Sequence, residues 1–225
     1  MRIITGHQLH YLPRLGLFHK MALADVFVAL DYCPFVPEAG IGRSRIKGPL
    51  GPIWLTIPLD ASHKGKPLRD LPLEHEGFGT RGHWQLQHFL AIQSVYMTAP
   101  FWLEHAAFLE SFYTDRAYRY FGEFTMQLLD YFRDNLDLIN TELLLSDMSY
   151  AKDNAGAEPG LHLCLDQEAD ICVFSNKDQI DVEVNEGKFL QNGVSIHYQN
   201  YKHPEYKQRY SGFLPELGVL DLLLN

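Results

Sequence analysis

The stretch that decides the fold is 2-RIITGHQLHYLPRLGLFHKMALADVFVALD-31. Arg2–Gln8 reads as a short strand, broken by Tyr11-Leu12-Pro13. Leu15–Ala24 then carries Leu15, Phe18, Met21 and Ala22 on one helical face. Asp25 ends that run. Val26–Asp31 is a continuous apolar segment, the pattern of a strand buried on both faces. Strand, helix and strand in that order start an α/β layer with a parallel pair.

Working outward, Pro34, Pro37 and Gly40 mark a loop. Arg43–Gly48 and Ile53–Leu59 read as two strands joined by the turn Pro49-Leu50-Gly51-Pro52. Residues 60–82 are rich in Gly, Pro and charge and are expected to be mostly loop. Three helices are predicted over His83–Met97, Pro100–Tyr113 and Tyr118–Leu138. Further strands are predicted at Thr141–Ser146, Ile171–Ser175 and Val194–Tyr198. A short helix is expected at Leu161–Ala169, and Pro215–Leu224 is a predicted closing helix. The expected architecture is α/β: a single compact domain over residues 1–225 with a mixed sheet, an N-terminal strand–helix–strand unit and a central helical segment. That segment, about 82–138, is a candidate subdomain.

The 225 residues carry 46% hydrophobic and 13% aromatic side chains, enough for a sizeable core. The formal net charge of −9 argues against nucleic-acid binding, which needs a positive field. Three cysteines, Cys33, Cys164 and Cys172, have no CxxC spacing. An odd count implies a free thiol and fits a reducing compartment. The N-terminus lacks a charged-then-apolar signal pattern, and no apolar run approaches membrane-spanning length. The expectation is a cytoplasmic protein with no membrane partner.

Several residues carry candidate chemistry. His7 falls at the C-terminal end of the first strand, where α/β folds place ligands. His7 and His10 are three apart, but no third ligand has a familiar spacing and HExxH is absent, so no metal is assigned. His7 suits an orienting or acid–base role. Asp31 ends the second strand, which an α/β sheet brings next to the first. It can orient His7, or cap the turn before Pro34. Cys33 is a candidate nucleophile, or a small buried hydrophobe. In GRSRIKG (42–48) a strand puts Arg43, Arg45 and Lys47 on one face, a positive stripe on an acidic protein. Such a stripe suits a carboxylate or phosphate, or blunts an edge strand. In YKHPEYKQ (201–208), Tyr201, His203, Tyr206 and Gln208 offer polar tips on stiff bodies, fit to line a pocket or to pack a surface loop. Arg81 and His83-Trp84 head a helix and read as a solvated first turn with Trp84 in the core. No Walker, GxGxxG, GxSxG or EF-hand pattern is present.

Four stretches together resemble the WbqC-like protein family. HQLHYLPRLGLFHK is similar to its N-terminal block, HQ followed by YLP and a Gly–Phe helix start. ADVFVALD resembles its second strand, RSRIKGPLGPIWLTIPL its basic hairpin, and YKHPEYKQRYSGFLPELGVLDLLLN its C-terminal block. RGHWQLQHFLAIQSVYMTAPFW fits the central helices more loosely. The chain departs from the pattern at Leu9, His10, Arg14, Tyr32, Pro34, Gly42 and Ser44, and keeps only Ser175 of a Ser-Gly after the ICVFS strand. These departures point to an altered substrate or chemistry. The resemblance implies a biosynthetic setting, bacterial surface polysaccharide or specialised metabolite.

Residues and resemblance together suggest an acyl- or aminoacyl-type transferase with His7 as base and Asp31 orienting it. Gln8, Tyr11, Arg43, Arg45, Lys47, His203, Tyr206 and Gln208 would bind substrate. Candidate partners are small molecules: a nucleotide sugar, an acyl-CoA or a carrier-protein thioester. No cofactor is assigned. The alternatives are a non-catalytic ligand-binding or scaffold protein and a metal-dependent hydrolase.

Overall fold

Strand β1 (Ile3–Gln8), helix α1 (Leu15–Ala22) and strand β2 (Val26–Leu30) form the expected strand–helix–strand unit. β1 and β2 pair in parallel, from Ile4 opposite Val26 to Gln8 opposite Leu30. The computed structural model describes residues 1–73, 84–139, 141–145, 160–176 and 184–225. The remaining elements are β3 (Arg43–Gly48), β4 (Gly51–Thr56), α2 (Trp84–Tyr96), α3 (Trp102–Thr114), α4 (Phe121–Asn135) and β5 (Glu142–Leu145). They are followed by α5 (Leu161–Asp166), β6 (Ile171–Phe174), α6 (Glu186–Gln191), β7 (Ser195–Tyr198) and α7 (Val219–Leu224). The class is α/β, as expected. Among the described residues the parallel and antiparallel pairings lie in separate sheets: β5-β2-β1-β6-β7, all parallel, and the antiparallel pair β3-β4. The chain divides into two compact units, each assembled from discontinuous segments.

The first unit comprises Met1–Leu9, Gly16–Cys33 and Arg133–Lys202 and holds the parallel sheet. VFVAL of β2 is buried along nearly its whole length, because the strand is central and covered on both faces. Ile4, Val26, Val28, Leu163, Cys172 and Phe189 form one side of its core. The turn from α1 into β2 is pinned by Thr141, whose hydroxyl donates to the Met21 and Ala24 carbonyls. Helix α6 was not expected from the sequence. It is six residues long, too short for a periodic pattern, and Asn185 caps it by accepting from the Lys188 N–H.

The second unit comprises His10–Leu15, Pro34–Phe132 and His203–Asn225. β4 begins at Gly51, not Ile53, because the ladder closes at Gly48 opposite Gly51 over a two-residue turn. The closing helix begins at Val219, not Pro215. Glu216 has φ +62, a left-handed conformation that an α-helix cannot continue. An aromatic cluster packs the interior: Phe124, wholly buried, has ring centroids 4.7 Å from Phe112, 5.1 Å from Tyr118 and 5.3 Å from Trp84. Trp84 is thus in the core, as read from the sequence. Arg81 and His83 lie outside the described residues, as does Ser146 at the end of the strand expected over Thr141–Ser146.

Candidate functional site

In the first unit, β1 is followed through α1 by β2 on one side, whereas β6 and β7 extend the sheet on the other. The direction of winding reverses between β1 and β6. Ligands of open parallel sheets bind at such a reversal, outside the carboxyl ends of the strands. Here β1 and β6 are in register only from Ile3 opposite Ile171 to Thr5 opposite Val173. Beyond that pair the two strands are no longer bonded. A cavity of about 270 Å³ opens there, lined by Gly6, Lys20, Leu30, Leu163, Phe174 and Ser175 among others.

Lys20 reaches this opening from α1. It is only 4% exposed, and its ammonium donates to the Gly6 carbonyl at 2.9 Å and to the Ser175 hydroxyl at 3.5 Å. Among the described residues no carboxylate pairs with it. Burial pulls its pKa from 10.5 down to about 8, an effect the nearby Cys172 partly opposes. Sequence reading missed Lys20. A lysine on an amphipathic helix reads as solvated, and the available signal was its place on the crossover that follows the first strand.

His7 and Asp31 lie in the same unit. The His7 ring donates from Nδ1 to the Gln8 carbonyl at 2.8 Å, which leaves the lone pair of the neutral ring on Nε2. The register puts Ala29 opposite His7 and Leu30 opposite Gln8, so Asp31 lies two residues beyond His7's partner, 5% exposed. Cys33 is pushed up to about 11 by burial and then by the Asp31 charge, so its thiol stays protonated near neutrality.

In the second unit the expected stripe on β3 is graded in depth. Arg43 is exposed, Arg45 half-buried and Lys47 buried. The guanidinium carbons of Arg43 and Arg45 sit 4.8 and 5.5 Å from the Trp54 ring centroid, because the antiparallel register sets Trp54 opposite Arg45. Arg43 also lines a second cavity, about 370 Å³, with Glu38, Ile41, Thr56 and Leu59. Arg45 donates to the Glu216 carbonyl at 2.9 Å. Among the described residues neither arginine is ion-paired.

Lys47, Tyr206 and Gln208 gather instead around Asp221, which is fully buried on α7. The Tyr96 hydroxyl donates to one carboxylate oxygen at 2.5 Å, and Tyr206 to the other at 2.9 Å. Burial raises the Asp221 pKa, opposed by Tyr96, Tyr206, Lys47 and Gln208 in turn. The Lys47 ammonium also donates to the Gly212 carbonyl, and Gln208 clamps Leu214 by both ends of its amide. His203 donates from Nδ1 to the Pro204 carbonyl at 2.9 Å and stands edge-on to Phe213. Tyr11 is 1% exposed, with its hydroxyl bonded to Tyr113 at 2.8 Å and to His88 Nδ1 at 2.9 Å. Its hydroxyl is thereby satisfied inside the aromatic core. Among the described residues no three His, Cys, Asp or Glu side chains group as metal ligands, and no helix is long and apolar enough to cross a membrane.

Comparison with known proteins agrees with the resemblance read from the motifs. The sequence model of the WbqC-like protein family matches residues 8–225. A curated protein of Mycobacterium tuberculosis (strain ATCC 25618 / H37Rv), described as uncharacterized protein Rv1507c, is 24% identical over 227 residues, spanning 100% of this chain and 94% of its own length. No solved structure matches the chain.

Proposed function

The chain belongs to the WbqC-like protein family, and from that premise we propose that it is a biosynthetic group-transfer protein of a bacterial surface-polysaccharide or specialised-metabolite pathway. The group is acyl or aminoacyl, the anionic donor is an acyl-CoA or a carrier-protein thioester that gives up its thiol, and the acceptor is an amino sugar, free or as a nucleotide sugar. The observation that supports this best is the pair Arg43 and Arg45, held against Trp54 without an ion-pair partner among the described residues. Guanidinium forks that no carboxylate occupies are suited to bind phosphate or carboxylate. His203 adds a polar ring tip in the same unit. Lys47, Tyr206 and Gln208 support the fold beneath it through Asp221.

His7 is the general base in this reading. Its Nδ1–H is committed to the Gln8 carbonyl, so Nε2 is the atom that takes a proton from an acceptor amine or hydroxyl. Asp31 is the carboxylate that orients it. The protein acts in the cytoplasm.

The test joins binding to turnover. Nucleotide sugars as acceptors, and acyl-CoA and acylated carrier as donors, are screened by thermal shift, and a donor that stabilises the wild type should lose its effect in Arg43→Ala and Arg45→Ala. With that donor and an amine acceptor, His7→Ala should form no product while its circular dichroism matches wild type. Full activity of His7→Ala would sink the catalytic assignment. Binding lost in the arginine variants, with no product from any donor–acceptor pair, favours a ligand-binding or scaffold protein instead.

A further inference from the structure

We infer that the cavity beyond the last paired residues of β1 and β6 is a binding site for a small carboxylate with an apolar chain, its head held by Lys20 and Ser175. This inference stands apart from the transferase reading, because it concerns binding within the parallel-sheet unit alone.

Three observations carry it. The first is topological. The cavity lies at the one place among the described strands where the winding of the sheet reverses, and where the β1–β6 pairing ends at Thr5 and Val173. The end of the pairing there leaves the Gly6 carbonyl to Lys20 instead of to a β6 amide. The second is charge. An ammonium 4% exposed, with a carbonyl and a hydroxyl as its acceptors and no carboxylate pairing among the described residues, lacks a counter-ion. Burying such a charge is costly, and an anionic head group offsets that cost. The third is shape and lining. Leu30, Leu163 and Phe174 give the cavity apolar walls, and at Gly6 no side chain intrudes. A Cβ at Gly6 would meet the Leu30 methyls at 3.4 Å and a Leu163 methyl at 3.5 Å, so the space over Gly6 is part of the opening.

Size limits the ligand. A dry cavity of about 150 Å³ suffices for benzene. The 270 Å³ here therefore takes a chain of roughly six to eight carbons with its head group. Gly6, Leu30, Phe174 and Ser175 are half-buried, which gives a ligand a way in. A phosphate head is a poorer match than a carboxylate, since among the described residues the lining supplies one cation and two hydroxyls, of which Thr5's already donates to the Val173 carbonyl. Among the described residues the other titratable group facing Lys20 is Cys172 on β6. Its thiol is driven far up by a hydrogen bond with Cys164 and by burial, so it stays neutral and does not compete for the ammonium.

The experiment is a calorimetric and thermal-shift titration of the full chain with straight-chain carboxylates from acetate to decanoate, with the matched primary alcohols as neutral probes. Affinity should rise with chain length to hexanoate or octanoate and then level or fall. The alcohols should bind at least tenfold more weakly. Lys20→Met should lose at least tenfold in octanoate affinity, and Gly6→Ala should shift the preferred chain shorter while keeping the head-group contact. Because Lys20→Met could fail to fold, a wild-type readout is added: reductive methylation of Lys20, followed by mass spectrometry, should be slowed by octanoate and not by octanol. No saturable carboxylate binding, equal binding of alcohols, unchanged affinity in a folded Lys20→Met, or unprotected Lys20 would each overturn the inference.

Discussion

Two buried titratable side chains, His88 and Lys20, each give the stability a distinct pH dependence. His88 is held neutral: burial lowers its pKa from 6.5 to about 4, partly opposed by a backbone hydrogen bond to Thr56. A depressed pKa gives stability that is complete above the unfolded value and lost as pH falls through the folded one. We expect urea unfolding to show a loss of about 3 kcal/mol between pH 6.5 and 4 from this group, scaled from the shift. The loss should be blunted in His88→Gln, which removes the titration. Lys20 behaves likewise in a higher window. Its pKa falls from 10.5 to about 8, so its share of stability rises as pH climbs from 8 to 10.5. Lys20→Met should abolish that alkaline rise. At pH 7 the variant loses a charge-assisted bond to the Gly6 carbonyl, worth about 1.5–3 kcal/mol, and sheds a desolvated charge of similar cost. Its stability there should lie close to wild type, with the difference appearing only above pH 8. His7 was legible from its strand-end position alone. Lys20 was not, since nothing local in LGLFHKMA says that the lysine turns inward.

At the scale of elements, local patterns were read well where they were strong. The β1–α1–β2 unit follows from an apolar run and a helical stripe, and the β3–β4 hairpin from the turn signal Pro49-Leu50-Gly51-Pro52 between two strand-like runs. The closing helix was over-extended because Pro215–Leu217 is apolar enough to imitate a first turn, while the left-handed Glu216 that breaks it leaves no mark in composition. Contacts between elements impose demands that no pattern shows. Gly122 on α4 is one: a Cβ there would lie 2.5 Å from the Arg69 Cα, a backbone atom that cannot swing away. Gly122→Ala would improve helix propensity by up to about 1 kcal/mol in isolation. Overpacking against backbone costs about 1–3 kcal/mol and outweighs it. A denaturant midpoint at or above wild type would refute this close approach of α4 to the backbone at Arg69.

At the scale of the whole molecule, the net charge of −9 sets the general behaviour toward polyanions. Arg43 and Arg45 form a local exception, too small to reverse the field over more than a Debye length, about 8 Å at physiological salt. The protein should therefore pass unretained over heparin at 150 mM salt, and give no shift with duplex DNA at micromolar concentration. Retention would mean that the basic stripe extends beyond the hairpin. By itself the sequence determined the α/β class, the first parallel pair, the basic hairpin and the family, because each rests on contiguous residues whose period or order is visible in one dimension. Only the tertiary structure decided that β6 lies beside β1, that the winding reverses there, and that Lys20 reaches the opening. It also decided that Lys47, Tyr206 and Gln208 converge on Asp221. Those outcomes depend on pairing residues up to about 170 positions apart, as in Thr5 with Val173. Which distant strand wins that pairing is settled by the burial of whole faces, and no local pattern records it.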